Sequence, residues 1–232
     1  MSFLELFIHR VIFSAHSDFN GDIKVIKVFG NTKFIFGGGV QSLKYDSPEA
    51  RGSYWEITSY LIKENKEIVR SALILGLGGA TIQHFMSEVY PGIKITSVEI
   101  DPVIIEVAKK YFDTEKILNH KVIEADSFEV LSKPDAFGIR SKFDVIVVDT
   151  HEPPIFSKIP TQAGFLKQIF NLCENGGLVV FSFVVSKDNN EVGLAFLKMV
   201  SEYFTDVQVL NVNGAAICDN WLIYGKKQLR VL

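Results

Sequence analysis

Ala72-Leu-Ile-Leu-Gly-Leu-Gly-Gly-Ala-Thr81, followed one helical segment later by Thr96-Ser-Val-Glu-Ile-Asp101, is the stretch on which the reading of this chain turns. Apolar residues Ala72 to Leu75 run into glycines at 76, 78 and 79. A helix-compatible segment, Thr81 to Tyr90, leads to a second apolar strand, Ile93 to Val98, which ends in Glu99. This is the order of a nucleotide-binding βαβ unit. Gly76 allows the tight turn, Gly78 lets backbone approach a ligand, and an acid roughly 20 residues on can accept hydrogen bonds from two ribose hydroxyls. The acid at the next strand end turns a common glycine pattern into a sign of a ribose-bearing ligand.

The rhythm of strand and helix continues outward from that unit. Strands are predicted at 72–75, 93–99, 121–125, 143–149 and 177–184, with helices at about 81–90, 102–112, 127–132 and 161–174 between them. A helix at about 189–203 leads to strands at 206–212 and 217–224. Alternating units of this length predict an α/β, Rossmann-like fold with a seven-stranded, mostly parallel sheet. The link around Asn213-Gly214 is too short for a helical crossover, so the last two strands should form an antiparallel edge hairpin. Residues 1–52 read differently, as a small N-terminal β-hairpin unit. Asn20-Gly21-Asp22 and Gly30-Asn31 are turn signals, Gly37-Gly38-Gly39 ends a strand, and Lys44 to Ser53 is a loop. Ser53 is positioned to cap a helix running to about Lys66. The Rossmann-like nucleoside-binding domain then occupies 53–232.

Composition narrows the function classes. A chain of 232 residues with 47% hydrophobic content can bury one α/β core plus a small accessory unit. The net charge of −3 and the dispersed Lys and Arg give no electrostatic footprint for nucleic acid. Cys173, on an apparent helix, and Cys218, in an apolar strand, read as buried thiols; two cysteines make neither a metal cluster nor a disulfide framework. The N-terminus is interrupted by Glu5, His9 and Arg10, unlike a signal peptide, and no stretch has the roughly 18 apolar residues of a membrane span. The expectation is a soluble cytoplasmic protein with no metal, no nucleic-acid partner and no membrane partner. A homodimer is compatible with the sequence, which does not decide the oligomeric state.

In open α/β sheets the ligand lies outside the carboxyl ends of the strands. Glu99, Asp126 and Asp149 occupy such ends, and Asp101 follows Glu99 by two residues. Asp101 precedes Pro102 at a helix start, so capping is its better reading. His84 and Met86, without partners on the first helix, read as structural. A nicotinamide enzyme is the first rival, but its usual third glycine is Thr81 here, and no catalytic His or Tyr–Lys pair is evident. Acidic strand ends suit a ligand carrying a cationic sulfonium.

Gly76-Leu-Gly-Gly-Ala, Val98-Glu-Ile-Asp-Pro102, Glu124-Ala-Asp126 and Val148-Asp149 resemble the motif series of class I S-adenosylmethionine-dependent transferases. Within that superfamily the chain is most similar to the spermidine synthase family of polyamine aminopropyltransferases, and to spermidine-synthase-like methyltransferases. Ser17-Asp-Phe19, Gly30, Phe36-Gly-Gly-Gly-Val-Gln41 and Tyr54-Trp-Glu56 follow the order of that family's hairpin domain and first long helix. The resemblance implies a donor site of Gly76, Gly78 and Gly79 at the nucleoside, Glu99 on the ribose, Asp126 at the adenine amino group and Gln41 at the donor's tail. It implies catalytic roles for Asp149, for Glu152 in the loop Asp149-Thr-His-Glu152-Pro153, and for Tyr54 near the amine acceptor. His151, a lone loop histidine, is given no part. The donor would be decarboxylated S-adenosylmethionine or S-adenosylmethionine, and the partner a small amine.

Three departures qualify the likeness. Aminopropyltransferases usually carry Asp where this chain has Gly79, an acid that anchors the donor's free amine. Glu152 replaces a second loop Asp, and the C-terminal part lacks the Pro- and Gly-containing loop that helps enclose the polyamine. The expectation is therefore aminopropyl transfer to a small polyamine acceptor, with methyl transfer to a protein or small molecule as the alternative and a non-catalytic binding protein as the third reading.

Overall fold

The computed structural model describes residues 9–150, 164–214 and 217–228. It contains two sheets. Arg10–Ser17 (β1), Gly21–Val28 (β2), Asn31–Phe36 (β3) and Gly39–Leu43 (β4) form an antiparallel four-stranded meander. Helix α1, Tyr54–Asn65, leads from it into the larger sheet. That sheet is built from Ser71–Leu75 (β5), Lys94–Glu99 (β6), His120–Glu124 (β7), Phe143–Val148 (β8), Cys173–Ser186 (β9), Thr205–Val212 (β10) and Cys218–Lys226 (β11). Its order is β10-β11-β9-β8-β5-β6-β7. The strands from β9 to β7 are parallel, while β11 is antiparallel to both β9 and β10. The expected fold and its edge hairpin are both present.

The local reasons lie in the residue patterns. Strands β5 and β8 carry near-continuous apolar runs, as strands covered on both faces must. Their ends are aligned by Asp144, whose Oδ2 accepts the backbone N–H groups of Arg70 at 2.8 Å and Ser71 at 3.2 Å. Helices Thr81–Val89 (α2), Pro102–Tyr111 (α3), Ser127–Ser132 (α4), Phe165–Leu172 (α5) and Glu191–Tyr203 (α6) cover the sheet. Asp101 caps α3 and Asp126 caps α4, each carboxylate accepting the N–H two residues on. The core of the small sheet is continuous with one face of the large one. Ile23, Val25 and Phe34 share a cluster with Phe85, Ile104 and Phe112, and the rings of Phe34 and Phe112 lie 5.4 Å apart. Among the described residues no helix is long and apolar enough to cross a membrane.

Three local expectations are corrected. Cys173 is not helical: α5 ends before it, and it opens β9 opposite Phe143. The buried Lys227 ammonium donates to the carbonyls of Phe170 and Cys173, satisfying the helix end where no glycine signal marks it. Ser53 precedes α1 but does not cap it, because its hydroxyl donates to the Ala50 carbonyl. Instead the Glu56 carboxylate accepts the Gly52 N–H at 2.7 Å. The segment after the glycine triplet, read as the end of a strand and a loop, holds the fourth strand β4 and a short 3-10 turn at Pro48–Ala50.

Candidate functional site

The carboxyl ends of β5, β6 and β8 open onto a cavity of about 570 Å³. Its floor is the glycine turn. Gly76 donates its N–H to Val98 O at 2.8 Å, and Asp149 donates its own to Leu75 O at 2.8 Å, so the ends of three strands are stitched together. Gly76 has φ +102°, and a Cβ there would lie 2.3 Å from the Asp149 carbonyl oxygen. No other residue type fits so close an approach. Gln83 steadies the same turn from α2, donating to Gly76 O at 3.3 Å and to Ser97 Oγ at 3.0 Å.

Glu99 stands at the cavity wall and is only 8% exposed. Its Oε2 accepts the Leu77 N–H at 3.1 Å and its Oε1 the Asp101 N–H at 3.0 Å. Burial pushes its carboxyl above the ordinary glutamate value, and the two backbone donors pull it back only in part. A carboxylate offers about four acceptor positions, so two backbone bonds leave capacity for a pair of ligand hydroxyls. Asp126, exposed on the wall at the start of α4, uses Oδ1 to accept the Phe128 N–H at 2.7 Å. Gln41 also lines the cavity, with its amide donating to Phe36 O at 3.1 Å.

Asp149 lies on the wall beyond the glycine turn. The Tyr54 hydroxyl approaches both its carboxylate oxygens at 3.4 Å, from a position 95 residues earlier in the chain. Burial, then the Asp149 charge, raises the Tyr54 phenol well above the ordinary tyrosine value, so it remains a protonated donor. Its ring packs against Trp55 at 4.4 Å, and it is Trp55 that lines the cavity. The geometry therefore gives Tyr54 a partner in Asp149 and gives Trp55 the surface. Glu152 and its neighbours His151 and Pro153 lie outside the described residues.

The three glycines separate in space. Gly76 and Gly78 line the cavity, whereas Gly79 is turned against the interior. A Cβ at Gly79 would come within 2.6 Å of Phe112 Cδ1 and 2.9 Å of Ser42 Oγ. Ser42 sits in a short relay with α2: Thr81 donates to Leu43 O at 2.5 Å, so the Ser42 hydroxyl is the donor across the 2.7 Å contact to Thr81. Ser42, Gln83, Phe19 and Asn20 all line the cavity and were not singled out for the site from sequence. Phe19 belongs to a stretch that follows the family's hairpin pattern and Asn20 to a turn signal, but neither carries a chemical mark of a site, and Ser42 and Gln83 are ordinary residue types. Asp101, as expected, caps α3, but it is also fully buried and ties in the β1–β2 turn. His84 and Met86 are buried, as their structural reading requires; His84 stacks on Tyr45 with centroids 3.9 Å apart. Among the described residues no group of three or more His, Cys, Asp or Glu is placed to hold a metal ion.

The chain resembles known proteins in sequence and in fold. A domain family described as "Spermine/spermidine synthase domain" matches residues 55–230. The polyamine aminopropyltransferase of Vibrio vulnificus (strain CMCP6) is 25% identical over 174 residues, covering 72% of this chain and 56% of that one. The eEF1A lysine and N-terminal methyltransferase of Xenopus laevis is 28% identical over 144 residues, covering 60% of this chain and 20% of that one. The chain thus spans little more than half of the first relative and a fifth of the second. The crystal structure of spermidine synthase from Thermotoga maritima superposes with a TM-score of 0.74 at 17% identity, over 94% of this chain and 73% of that one.

Proposed function

The chain belongs to the spermine/spermidine synthase domain family, and from that premise we propose that it transfers an aminopropyl group from decarboxylated S-adenosylmethionine to a small amine. The observation that carries the reading is the wall of the cavity, where three carboxylates, Glu99, Asp126 and Asp149, face one space with the Tyr54 hydroxyl behind Asp149. Such a wall attracts ligands that bring positive charge, as a sulfonium with a free ammonium tail and an amine acceptor both do.

The roles in this reading are those that the family resemblance implies. Glu99 accepts the ribose hydroxyls, Asp126 faces the adenine amino group, and the Gly76–Gly78 backbone floors the nucleoside. Gln41 and Trp55 border the tail. The acceptor nitrogen attacks the carbon beside the sulfonium, forming the C–N bond as the C–S bond breaks. The bonding pair stays on sulfur, leaving a neutral thioether nucleoside, and the nitrogen gives up a proton. A free amine with a pKa near 10 is almost wholly protonated at neutral pH. A carboxylate therefore serves twice, drawing in the ammonium and then taking its proton. Asp149 fills this part, with Tyr54 holding its orientation and Glu152 proposed for a second charge on the acceptor.

One observation favours methyl transfer as a second reading. The family's tail-anchoring acid has no room at Gly79, because Phe112 and Ser42 occupy the space a side chain would need. The experiment compares donors. Aminopropyl transfer requires binding of decarboxylated S-adenosylmethionine at least about tenfold tighter than S-adenosylmethionine, a gap of about 1.4 kcal/mol. It also requires an aminopropylated product from putrescine or a longer diamine by mass spectrometry. Tighter binding of S-adenosylmethionine, with methyl incorporation into any acceptor, installs the second reading.

A further inference from the structure

One polar side chain on the cavity is set by a run of hydrogen bonds that starts at β7, the edge strand of the large sheet. Gln83 of α2 lines the cavity yet is only 2% exposed. Its amide nitrogen meets two oxygens, Gly76 O at 3.3 Å and Ser97 Oγ at 3.0 Å. A backbone carbonyl can only accept, so the atom facing Gly76 is the NH2 nitrogen and not the amide oxygen. Ser97 is fully buried on β6, and its Oγ lies 2.9 Å from Nε2 of His120, the first residue of β7. An amide NH2 accepts no hydrogen, so the Ser97 proton goes to His120. Burial holds the His120 ring down to about 4, so near neutral pH it is uncharged and able to accept.

Every hydrogen in this run therefore has one direction. Both amide hydrogens of Gln83 are used, and Oε1 is the polar atom of the side chain left for the cavity. Among the described residues no donor reaches that oxygen. A desolvated acceptor without a partner costs free energy, which a ligand N–H or O–H recovers on binding. Gln41, the other glutamine on the wall, is only half-buried, and its oxygen stays within reach of solvent.

The donors considered above bring one hydrogen-bearing group that has no carboxylate of its own. In the proposed function Glu99 takes the ribose, Asp126 the adenine amino group and Asp149 the acceptor amine. S-adenosylmethionine and its decarboxylated form both also carry an ammonium on the third carbon from sulfur. No acid stands at Gly79 to meet it, and Phe112 and Ser42 leave no room for one. We propose that Gln83 is a further donor-binding residue, its Oε1 accepting a hydrogen from that ammonium, with Ser97 and His120 as positioning residues that hold the amide in this sense. The inference rests on the donor reading given above. An uncharged amide oxygen accepts from an ammonium without the full repulsion an acid would exert on a neighbouring carboxylate, so this contact is open to either donor.

The test is calorimetric titration of the full chain with methylthioadenosine and with aminopropylthioadenosine, the same nucleoside with an aminopropyl group on sulfur. Gln83→Met keeps the length of the side chain and removes the acceptor. It should weaken the aminopropyl compound by about tenfold, as for a hydrogen bond to a charged group, and methylthioadenosine by less than about twofold. The readout is the ratio of the two affinities, which a general loosening of the site leaves unmoved because it weakens both. Ser97→Ala keeps the glutamine but frees its amide to turn, and should lower the same ratio by a smaller factor, as should His120→Phe. Should Gln83→Met not fold, Ser97→Ala carries the comparison. Equal loss for both nucleosides, or loss for neither, overturns the proposal and leaves the donor reading intact. A ratio unmoved in Ser97→Ala and His120→Phe overturns the positioning roles. Failure of the wild-type chain to bind either nucleoside overturns the donor reading, and this proposal with it.

Discussion

Replacing Glu99 with Gln tests the proposed nucleoside site most directly, because the structure lets its costs be divided. The carboxylate accepts one backbone N–H on each oxygen, Leu77 at 3.1 Å and Asp101 at 3.0 Å. An amide has one oxygen, so one of these donors would face an NH2 group and lose its partner, a cost of about 1–3 kcal/mol. Against this, Glu99 is buried and its pKa is raised, so its charge is held at the expense of folding. Removing the charge returns part of that cost, and the net loss of stability should fall near about 1 kcal/mol. Binding has no such offset. Two ribose hydroxyls lose a charged acceptor, and the affinity for methylthioadenosine should fall by about 2–4 kcal/mol, roughly 30- to 900-fold. Acidification supplies a second arm. With the folded pKa raised, the native state takes up a proton before the unfolded chain does. Wild-type stability therefore gains relative to Glu99→Gln as pH falls through the raised value towards about 4.3, the unfolded value. Nucleoside affinity falls over the same interval, and the variant shows neither effect. Urea unfolding and calorimetry on the same samples measure both. Unchanged nucleoside affinity in Glu99→Gln would refute the ribose role, and a large loss of stability with no loss of affinity would make Glu99 a structural residue only.

Two further outcomes are expected. Asp149→Asn keeps the side-chain shape but removes the base, so turnover should drop by at least about a hundredfold with methylthioadenosine affinity nearly unchanged in calorimetry; equal activity would reduce Asp149 to a turn residue. Gly79→Asp, which restores the family's usual acid, should not create a better aminopropyltransferase. It should destabilise the chain by about 3 kcal/mol or more in urea unfolding, because its Cβ meets the buried Phe112 ring and its carboxylate has no solvated exit. A stable Gly79→Asp variant with improved turnover would show that the region around Phe112 opens in solution.

The large sheet was legible because its strands advertise themselves. Ala72 to Leu75 and Val145 to Val148 are apolar runs of strand length, separated by segments of helical length, and each is followed by a glycine or an acid. Strand β4 was not, since Val40-Gln-Ser-Leu43 is short and follows three glycines that read as an ending. Glu99, Asp126 and Asp149 could be found from their places at strand ends. Tyr54 was reached only through family likeness, for nothing local links it to a carboxylate 95 residues away. The same limit hid the clamp on Asp101, which joins Ser17 across a separation of 84 residues. The inward turn of Gly79 could not be anticipated either. Its partners Phe112 and Ser42 belong to other elements, and a glycine pattern does not say which of its members faces the ligand.

The contact between Gly76 and the Asp149 carbonyl has a consequence for how such a chain can change over generations. The two backbones touch with no space for a methyl group, so the glycine turn on the cavity floor and the backbone that carries Asp149 are fixed against each other. Mutations that shift one shift the other, so drift in this region is penalised twice. Change in what the cavity receives is left to side chains outside that contact, such as Trp55 on the cavity wall. On the proposed function, a lineage can then exchange one acceptor for another while the proposed donor site stays fixed. That asymmetry suits a fold whose relatives include both an aminopropyltransferase and a protein methyltransferase.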